Sequence, residues 1–143
     1  MLGSILVGKK PLVTISRDTA VSDIVELLYT HRIGAVLVMD GDGISGGIAG
    51  LVSERDICRC MHTHGKGVHD ARAHDIMSAP VVTASARTSI SDAMAIMTDR
   101  RFRHLPVVEG GELLGLVSIG DLVKRRIEDA EAEAESLKSY IAS

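Results

Sequence analysis

The chain repeats one sequence unit, and this duplication limits its possible folds more than any other feature. Residues 11–19 (PLVTISRDT) return sixty-nine positions later as residues 80–88 (PVVTASART). Further along, the register shifts by four residues, and GLVSERD at 50–56 returns as GLVSIGD at 115–121. The shift falls in a turn, where extra loop length costs little. Two copies of one unit predict a pseudo-two-fold module with its ligand site at the seam.

Each copy has the pattern of a helix, two strands and a second helix. Thr19 and Thr88 are predicted to cap amphipathic helices, because apolar residues follow each of them at helical spacing. These apolar positions are Val21, Ile24, Val25 and Leu28 in the first copy, and Ile90, Ala93, Met94 and Met97 in the second. Apolar runs predict strands at 35–39 and 105–108, followed by glycine-rich turns at 40–43 and 109–111 and by second strands at 48–53 and 113–118.

Composition excludes several classes of protein. The 143 residues are 45% hydrophobic with a net charge of -3, which is typical of a globular chain and gives no general attraction for nucleic acid. The apolar start at residues 1–8 is too short for a membrane span or a secretory signal. Cys58 and Cys60 are too close in sequence for a structural disulfide. We therefore expect a cytoplasmic protein with neither a membrane nor a nucleic-acid partner.

The motif RHLPVV at 103–108, followed by GLVSIGD at 115–121, resembles the cystathionine-beta-synthase-type (CBS) domain. Tandem pairs of that domain are similar to roughly residues 11–126 of this chain. The resemblance implies an α+β fold of two tandem beta-alpha-beta-beta-alpha units related by a pseudo-two-fold axis. It also implies that adenosine-containing ligands bind in clefts between the units. Family members usually sense energy or cofactor state and regulate a partner protein.

Three segments follow from the repeat and the resemblance. Residues 1–72 are expected to form the first CBS repeat with an N-terminal segment and a linker. Residues 73–126 are expected to form the second repeat, and residues 127–143 an extension of the C-terminal helix.

The shared GLVS motif predicts a site where each second strand meets the following helix. Ser53 and Ser118 each place a hydroxyl at a helix start, where free amides and the helix dipole favour a phosphate group. Asp56 and Asp121, three residues later, can accept hydrogen bonds from both hydroxyls of a ribose. The resemblance assigns matching positions the same roles. The alternative is that these serines and aspartates only cap their helices.

The two predicted sites differ in charge. Glu54 and Arg55 separate the serine from the aspartate in the first copy, whereas Ile119 and Gly120 do so in the second. A phosphate at the first site would therefore meet one repulsive and one attractive side chain. We expect a polyphosphate or dinucleotide to prefer the second copy.

Arg55 in the first copy and five further residues complete the predicted nucleotide site. Arg103 and His104 lie close in sequence to the second copy's strands, and arginine can bind phosphate through two parallel hydrogen bonds. Pro106 belongs to the motif that carries the resemblance. The resemblance implies that the segments containing Thr14 and Thr83 line the adenine pocket, although threonine is also an ordinary strand residue.

A cluster of sulfur and imidazole groups offers metal binding as an alternative function. The cluster lies within seventeen residues and consists of Cys58, Cys60, His62, His64, His69 and His74. These types of side chain bind zinc or copper, but their spacing matches no familiar finger or ribbon. On a helix, Cys58 and Cys60 would point to opposite faces.

The C-terminal segment predicts an association helix. Apolar residues advance by alternating steps of four and three at Val123, Ile127, Ala130, Ala134, Leu137 and Ile141. Such a seam favours a homodimer, while a solvated helix is the alternative.

No catalytic motif is present in the sequence, so an enzyme is not expected. The sequence predicts a non-catalytic module with no prosthetic group. It would bind AMP, ADP, ATP or NAD, change conformation, and signal to an unidentified regulated protein. A structural interaction protein with empty clefts is a further alternative.

Overall fold

A computed structural model describes residues 1–41 and 47–142 of the chain. The chain divides into two compact units. The first-copy unit is Pro11–Val81, and the second-copy unit combines Met1–Lys10 with Val82–Ser143. The first ten residues thus join the second copy, whereas the predicted segment 1–72 grouped them with the first.

The first-copy unit contains a three-stranded sheet in the order β1-β2-β3, with β1 parallel and β3 antiparallel to β2. The run predicted at 35–39 is strand β2, and all five of its residues are buried, as expected for a strand covered on both faces. The elements are β1 (Thr14–Ile15), α2 (Val21–His31), β2 (Ala35–Met39), β3 (Ile48–Ser53), α3 (Glu54–His64), a 3₁₀ helix (Gly65–Asp70) and α4 (Ala73–Ile76).

The second-copy unit repeats this order, with an isolated bridge between Ala84 and Val107 in place of its first strand. Its core includes Leu105, Val117 and Leu122, which are fully buried. The elements are α1 (Leu2–Leu6), α5 (Ile90–Arg100), β4 (His104–Glu109), β5 (Glu112–Ser118) and α6 (Ile119–Ala142), and β4 pairs antiparallel with β5.

The turns after β2 and β4 were both predicted to be rich in glycine. Between β4 and β5, Gly110 and Gly111 have φ angles of 57° and 81°, a conformation that glycine adopts without strain. Residues 42 and 43 of the other predicted turn lie outside the described residues.

The predicted threonine caps are wrong. Helix α2 begins after Ala20 without a side-chain cap, and α5 begins after Ser89, whose hydroxyl accepts a hydrogen bond from the Asp92 amide at 3.0 Å. Thr19 and Thr88 instead close the preceding turns, because each hydroxyl accepts a bond from the amide three residues earlier at 3.1 Å. A threonine hydroxyl satisfies a turn as readily as a helix start.

The predicted apolar stripe of α2 is wrong at one residue. Val25 is 45% exposed, whereas Val21, Ile24 and Leu28 are buried as predicted. Helix α2 therefore buries a narrower face than the sequence pattern indicates.

Each unit includes a short helix that lies outside its own sequence repeat: α4 in the first-copy unit and α1 in the second-copy unit. The first two amides of α1 donate to the carbonyls of Thr88 and Ala86, both at 2.9 Å. The first two amides of α4 donate to the equivalent carbonyls of Thr19 and Arg17, at 2.8 and 3.0 Å. Each unit thus receives the short helix that precedes the other repeat in sequence. This connection places residues 1–10 beside the second copy's candidate site.

Candidate functional site

The first corner (residues 53–56) joins β3 to α3 through a reciprocal capping box. The Ser53 hydroxyl accepts a hydrogen bond from the Asp56 amide at 3.3 Å, and Asp56 Oδ2 accepts one from the Ser53 amide at 2.8 Å. The capping role that the sequence left open as an alternative is therefore present. Such a box satisfies two amides at the helix start.

The carboxylate of Asp56 is almost fully engaged inside the first-copy unit. Its residue is only 3% exposed. Oδ2 also accepts the Ser53 hydroxyl at 3.1 Å, while Oδ1 accepts Ser78 Oγ at 2.9 Å and Arg59 Nη1 at 3.1 Å. A carboxylate offers about four lone-pair sites. A ribose hydroxyl at Asp56 would therefore have to replace one of these bonds.

The second corner (residues 118–121) contains the same capping box with a more accessible carboxylate. The Ser118 hydroxyl accepts the Asp121 amide at 3.1 Å, and Asp121 Oδ2 accepts the Ser118 amide at 2.8 Å. The Asp121 side chain is 28% exposed. Lys9 Nζ lies 2.6 Å from Asp121 Oδ2 and 2.6 Å from the Leu116 carbonyl oxygen.

The ion pair with Lys9 keeps Asp121 ionised. Partial burial has the largest single influence and raises the pKa of the carboxyl group, but hydrogen bonds from Lys9 and Ser118 and the charge of Lys9 lower it. The pKa of Asp121 lies below its ordinary value as a result. The carboxylate is thus an acceptor across the physiological pH range.

Many of the amides at the start of each helix are already used. The Glu54 amide donates to the Gly34 carbonyl at 3.0 Å, and the Ile119 amide donates to the Arg103 carbonyl at 2.8 Å. With the capping boxes, two of the first three amides of α3 and of α6 donate within their own unit. A phosphate at either corner would therefore depend on the helix dipole and on nearby cations more than on a set of free amides.

Two of the other predicted residues adjoin the second corner. His104 is the first residue of β4 and is paired in register with Ser118. Arg103 is exposed, and its own carbonyl accepts the first amide of α6. The backbones of these two basic residues therefore adjoin the second corner, as their place in the sequence predicts.

The remaining predicted residues are spread over both units. Thr14 is exposed on β1, opposite Leu37, and Arg55 is exposed in the first turn of α3. Thr83 is exposed beside the isolated bridge. Pro106 is buried in β4, where its backbone carbonyl accepts the Ala84 amide at 2.9 Å.

Lys9 and Ser78, which contact the two aspartates, are not among the residues predicted from the sequence. The Ser78 amide donates to the Leu51 carbonyl at 2.9 Å, and Lys9 donates to the equivalent carbonyl of Leu116. Both residues follow the short helices α1 and α4. The recurrence of Ile5-Leu6 as Ile76-Met77 just ahead of the detected repeat was the signal that could have located these segments.

The cysteine and histidine residues after β3 do not form a metal-binding cluster within the described residues. Cys58 is exposed and Cys60 is buried on the other side of α3, as predicted. Burial foremost, and the charge of Asp75, raise the pKa of Cys60. Cys60 Sγ lies 3.7 Å from His64 Nδ1. Among residues 1–41 and 47–142, no group of three or more potential ligands is positioned to hold a metal ion.

A groove on the first-copy unit was also not predicted. Its volume is about 880 Å³, and Val25, Tyr29, Ile57 and Cys58 are among the residues of α2 and α3 that line it. It is open to solvent and lies on the helical face of the unit.

Comparison with known families agrees with the duplication of the unit. The family model described as "CBS domain" matches residues 3–63 and 73–128. The chain belongs to the CBS-domain family. Its α+β fold contains two CBS units and a C-terminal helix. No helix in the described part of the chain has the length and apolar content needed to cross a bilayer.

Relatives and solved structures support this assignment. The mitochondrial CBS domain-containing protein CBSX3 of Arabidopsis thaliana is 33% identical over 87% of this chain. The chain spans 61% of that relative's length and 59% of an uncharacterised Methanopyrus kandleri relative. A Burkholderia ambifaria protein with CBS domains, proposed to act in signal transduction, is 40% identical, with a TM-score of 0.82 over 90% of this chain and 94% of its own.

Two more distant structures share the fold alone and contain adenosine ligands. CBSX2 in complex with AMP is 23% identical, with a TM-score of 0.74 over 90% of this chain and 97% of its own. The CBS pair of MJ0100, solved with 5'-methylthioadenosine and S-adenosyl-L-methionine, is 19% identical, with a TM-score of 0.78 over 90% and 97% of the two chains.

Proposed function

We propose that this CBS-domain protein is a non-catalytic regulatory module that binds an adenosine-containing ligand, AMP, ADP, ATP or NAD, at its serine–aspartate corners. The observation that carries the proposal is the duplicated corner, which sets a carboxylate beside the first turn of a helix in both copies. A carboxylate there can accept ribose hydroxyls, and the helix dipole favours a phosphate. The AMP, methylthioadenosine and S-adenosylmethionine complexes of two proteins with this fold support an adenosine ligand.

The second corner is the better candidate for the ligand. Its carboxylate is 28% exposed, whereas Asp56 is buried and bonded by Ser53, Arg59 and Ser78. Replacing hydrogen bonds of a buried carboxylate is costly, because any group left without a partner remains desolvated. We therefore propose that Asp121 and Ser118, with Arg103 and His104, form the main nucleotide site.

Regulation would act through a shift between conformations. A ligand can favour one conformation only if it binds that conformation more tightly than the others. A partner protein that recognises the favoured conformation would then respond to the ligand concentration.

Helix α6 supports the further proposal of a homodimer. Its distal half is exposed throughout, and the seam residues Ile127, Leu137 and Ile141 are 54%, 56% and 82% exposed. Basic residues 124–126 are followed by an acidic stretch at 128–135. An antiparallel copy of the helix would bring opposite charges together and cover the seam.

A thermal-shift panel tests the nucleotide proposal. The protein is heated alone and with AMP, ADP, ATP, NAD or S-adenosylmethionine, with CMP as the matched control for phosphate and ribose. A ligand at one hundred times its Kd stabilises by about 2.7 kcal/mol, which raises Tm by several degrees. An adenosine ligand should raise Tm while CMP does not. No shift with any adenosine ligand would contradict the proposal.

A further inference from the structure

Lys9 bridges the last strand of the second-copy unit and the helix that follows it. Its ammonium group donates to the Leu116 carbonyl on β5 and to the Asp121 carboxylate on α6, both at 2.6 Å. Lys9 and Asp121 form an ion pair. The side chain of Lys9 is 36% exposed, so a ligand at the second corner could reach its ammonium group.

The first corner holds a neutral group in the corresponding place. There the Ser78 amide binds the carbonyl that corresponds to that of Leu116, and the Ser78 hydroxyl binds Asp56 at 2.9 Å. The donor that follows the short helix and contacts the strand and the aspartate is therefore charged in the second copy and neutral in the first, where Asp56 takes its cation from Arg59 of α3 at 3.1 Å. Packing alone does not require a lysine, because serine fills this role in the first copy.

The charge of Lys9 bears directly on the choice of ligand. The ion pair offsets the negative charge of the Asp121 carboxylate. The positive end of the α6 dipole and the adjacent Arg103 then make the electrostatic potential at the corner positive. An unpaired carboxylate at the same point would repel a phosphate group and attract a cation such as a sulfonium. A phosphate has charged oxygens for which an ammonium is a strong hydrogen-bond donor.

We propose that Lys9 is a specificity-determining residue of the second corner, which selects adenosine ligands that carry a phosphate group over those that carry none or a positive charge. This inference rests on the proposed function and adds the ligand class. Lys9 keeps its bond to Leu116 in the complex, and its ammonium adds positive charge to the phosphate subsite while Asp121 turns toward the ribose.

Amide NMR titrations of the 15.2 kDa chain test this inference at the second corner itself. AMP, adenosine and S-adenosylmethionine are added separately to the ¹⁵N-labelled protein, and the amide signals of Ser118 and Gly120 give the Kd of each ligand. Wild type should bind AMP more tightly than adenosine. Lys9→Met should reduce the ratio of AMP to adenosine affinity about tenfold, the effect of about 1.4 kcal/mol of lost charge interaction.

Two variants act as controls. Lys9→Arg keeps the charge and should keep the ratio, while Lys10→Met removes the same charge from the adjacent exposed position and should leave the ratio unchanged. If Lys9→Met does not fold, Lys9→Gln keeps a donor without the charge and must show the same fall in ratio.

The outcomes separate this inference from the proposed function. An unchanged ratio in Lys9→Met, or an equal loss of affinity for AMP and adenosine, would overturn the role of Lys9 while leaving the nucleotide site intact. If wild type binds none of the three ligands and none of ADP, ATP and NAD, the proposed function fails and the inference fails with it.

Discussion

Lys9 Nζ lies 2.6 Å from Asp121 Oδ2, so the segment before the first repeat supplies a charged partner to the aspartate of the second. The two residues are 112 positions apart in sequence. The equivalent aspartate, Asp56, is bonded by the neutral hydroxyl of Ser78 and takes its cation from Arg59 of its own helix, so the two corners differ in which segment supplies the charged partner.

The Lys9–Asp121 pair should make stability depend on pH in the acid range. The pKa of Asp121 is below its ordinary value in the folded state, so its contribution is fully present above the unfolded pKa of about 4 and is lost as pH falls through the lowered value. Urea unfolding of wild type and Lys9→Met from pH 7 to pH 2 measures this. The stability difference between them should shrink below about pH 4. A difference that stays constant down to pH 2 would contradict the assignment, and Lys10→Met serves as the control.

Removing the buried carboxylate of the first corner should cost more stability than removing the partly exposed carboxylate of the second. Asp56→Ala removes a buried acceptor from the amide of Ser53, which is only partly exposed, and from the hydroxyl of Ser78, which is exposed and can bond water instead. A donor that loses its acceptor away from water costs about 1–3 kcal/mol. Urea unfolding at pH 7 should therefore show a larger loss for Asp56→Ala than for Asp121→Ala. Equal losses would mean that the first corner is less tightly held than its geometry indicates.

The glycine that begins the motif of the first corner should not tolerate a side chain. A Cβ atom at Gly50 would lie 2.6 Å from Met77 Sδ and 3.0 Å from the Ser78 carbonyl oxygen. Gly50→Ala would thus displace the segment that bonds Asp56, and overpacking of this kind costs about 1–3 kcal/mol.

Gly120→Ala is the matched control for Gly50→Ala. Its Cβ would meet only Ser118 Oγ, at an ordinary 3.6 Å. The thermal midpoint of Gly120→Ala should stay at or above that of wild type, while Gly50→Ala melts earlier. Equal midpoints for the two variants would show that the segment after α4 yields without cost.

The strands and the corners could be predicted because their signals are local and occur twice. The apolar run at 35–39 and the serine–aspartate spacing at 53–56 and 118–121 each encode a structure within a few residues. A short apolar run can be a strand or a buried helix, but here the run recurs at 105–108 with a glycine-rich turn after it in both copies, which favours a strand. In each copy, the four residues of the corner contain both the helix cap and the serine and aspartate of the predicted site.

The partners of the aspartates could not be predicted because they depend on contacts between distant segments. The recurrence of Ile5-Leu6 as Ile76-Met77 marks the short segments, but it does not indicate that α1 packs on β5, where Leu6 covers Gly115. The threonine caps failed for a different reason. Thr19 and Thr88 have two competing uses for one hydroxyl, and the turn that each closes lies one to two residues before the helix start.

The exposed seam on α6 predicts an assembly that depends on the last residues of the chain. Truncation after Arg126 removes most of the seam but retains the buried Leu122 and the bond from Arg126 to Ser91 at 3.2 Å. Light scattering coupled to gel filtration should show a dimer for the full chain and a monomer for the truncated one. A dimer of unchanged mass after truncation would place the association surface elsewhere.

The most direct test of the proposed nucleotide site is calorimetric titration of AMP into wild type, Asp121→Ala and Asp56→Ala, with ADP, ATP and NAD also titrated into wild type. Wild type should bind, and Asp121→Ala should lose at least tenfold more affinity than Asp56→Ala, because the second carboxylate is the accessible one. Equal losses in the two variants would contradict the preference for the second corner. No binding of AMP, ADP, ATP or NAD to the wild-type protein would contradict the nucleotide site itself.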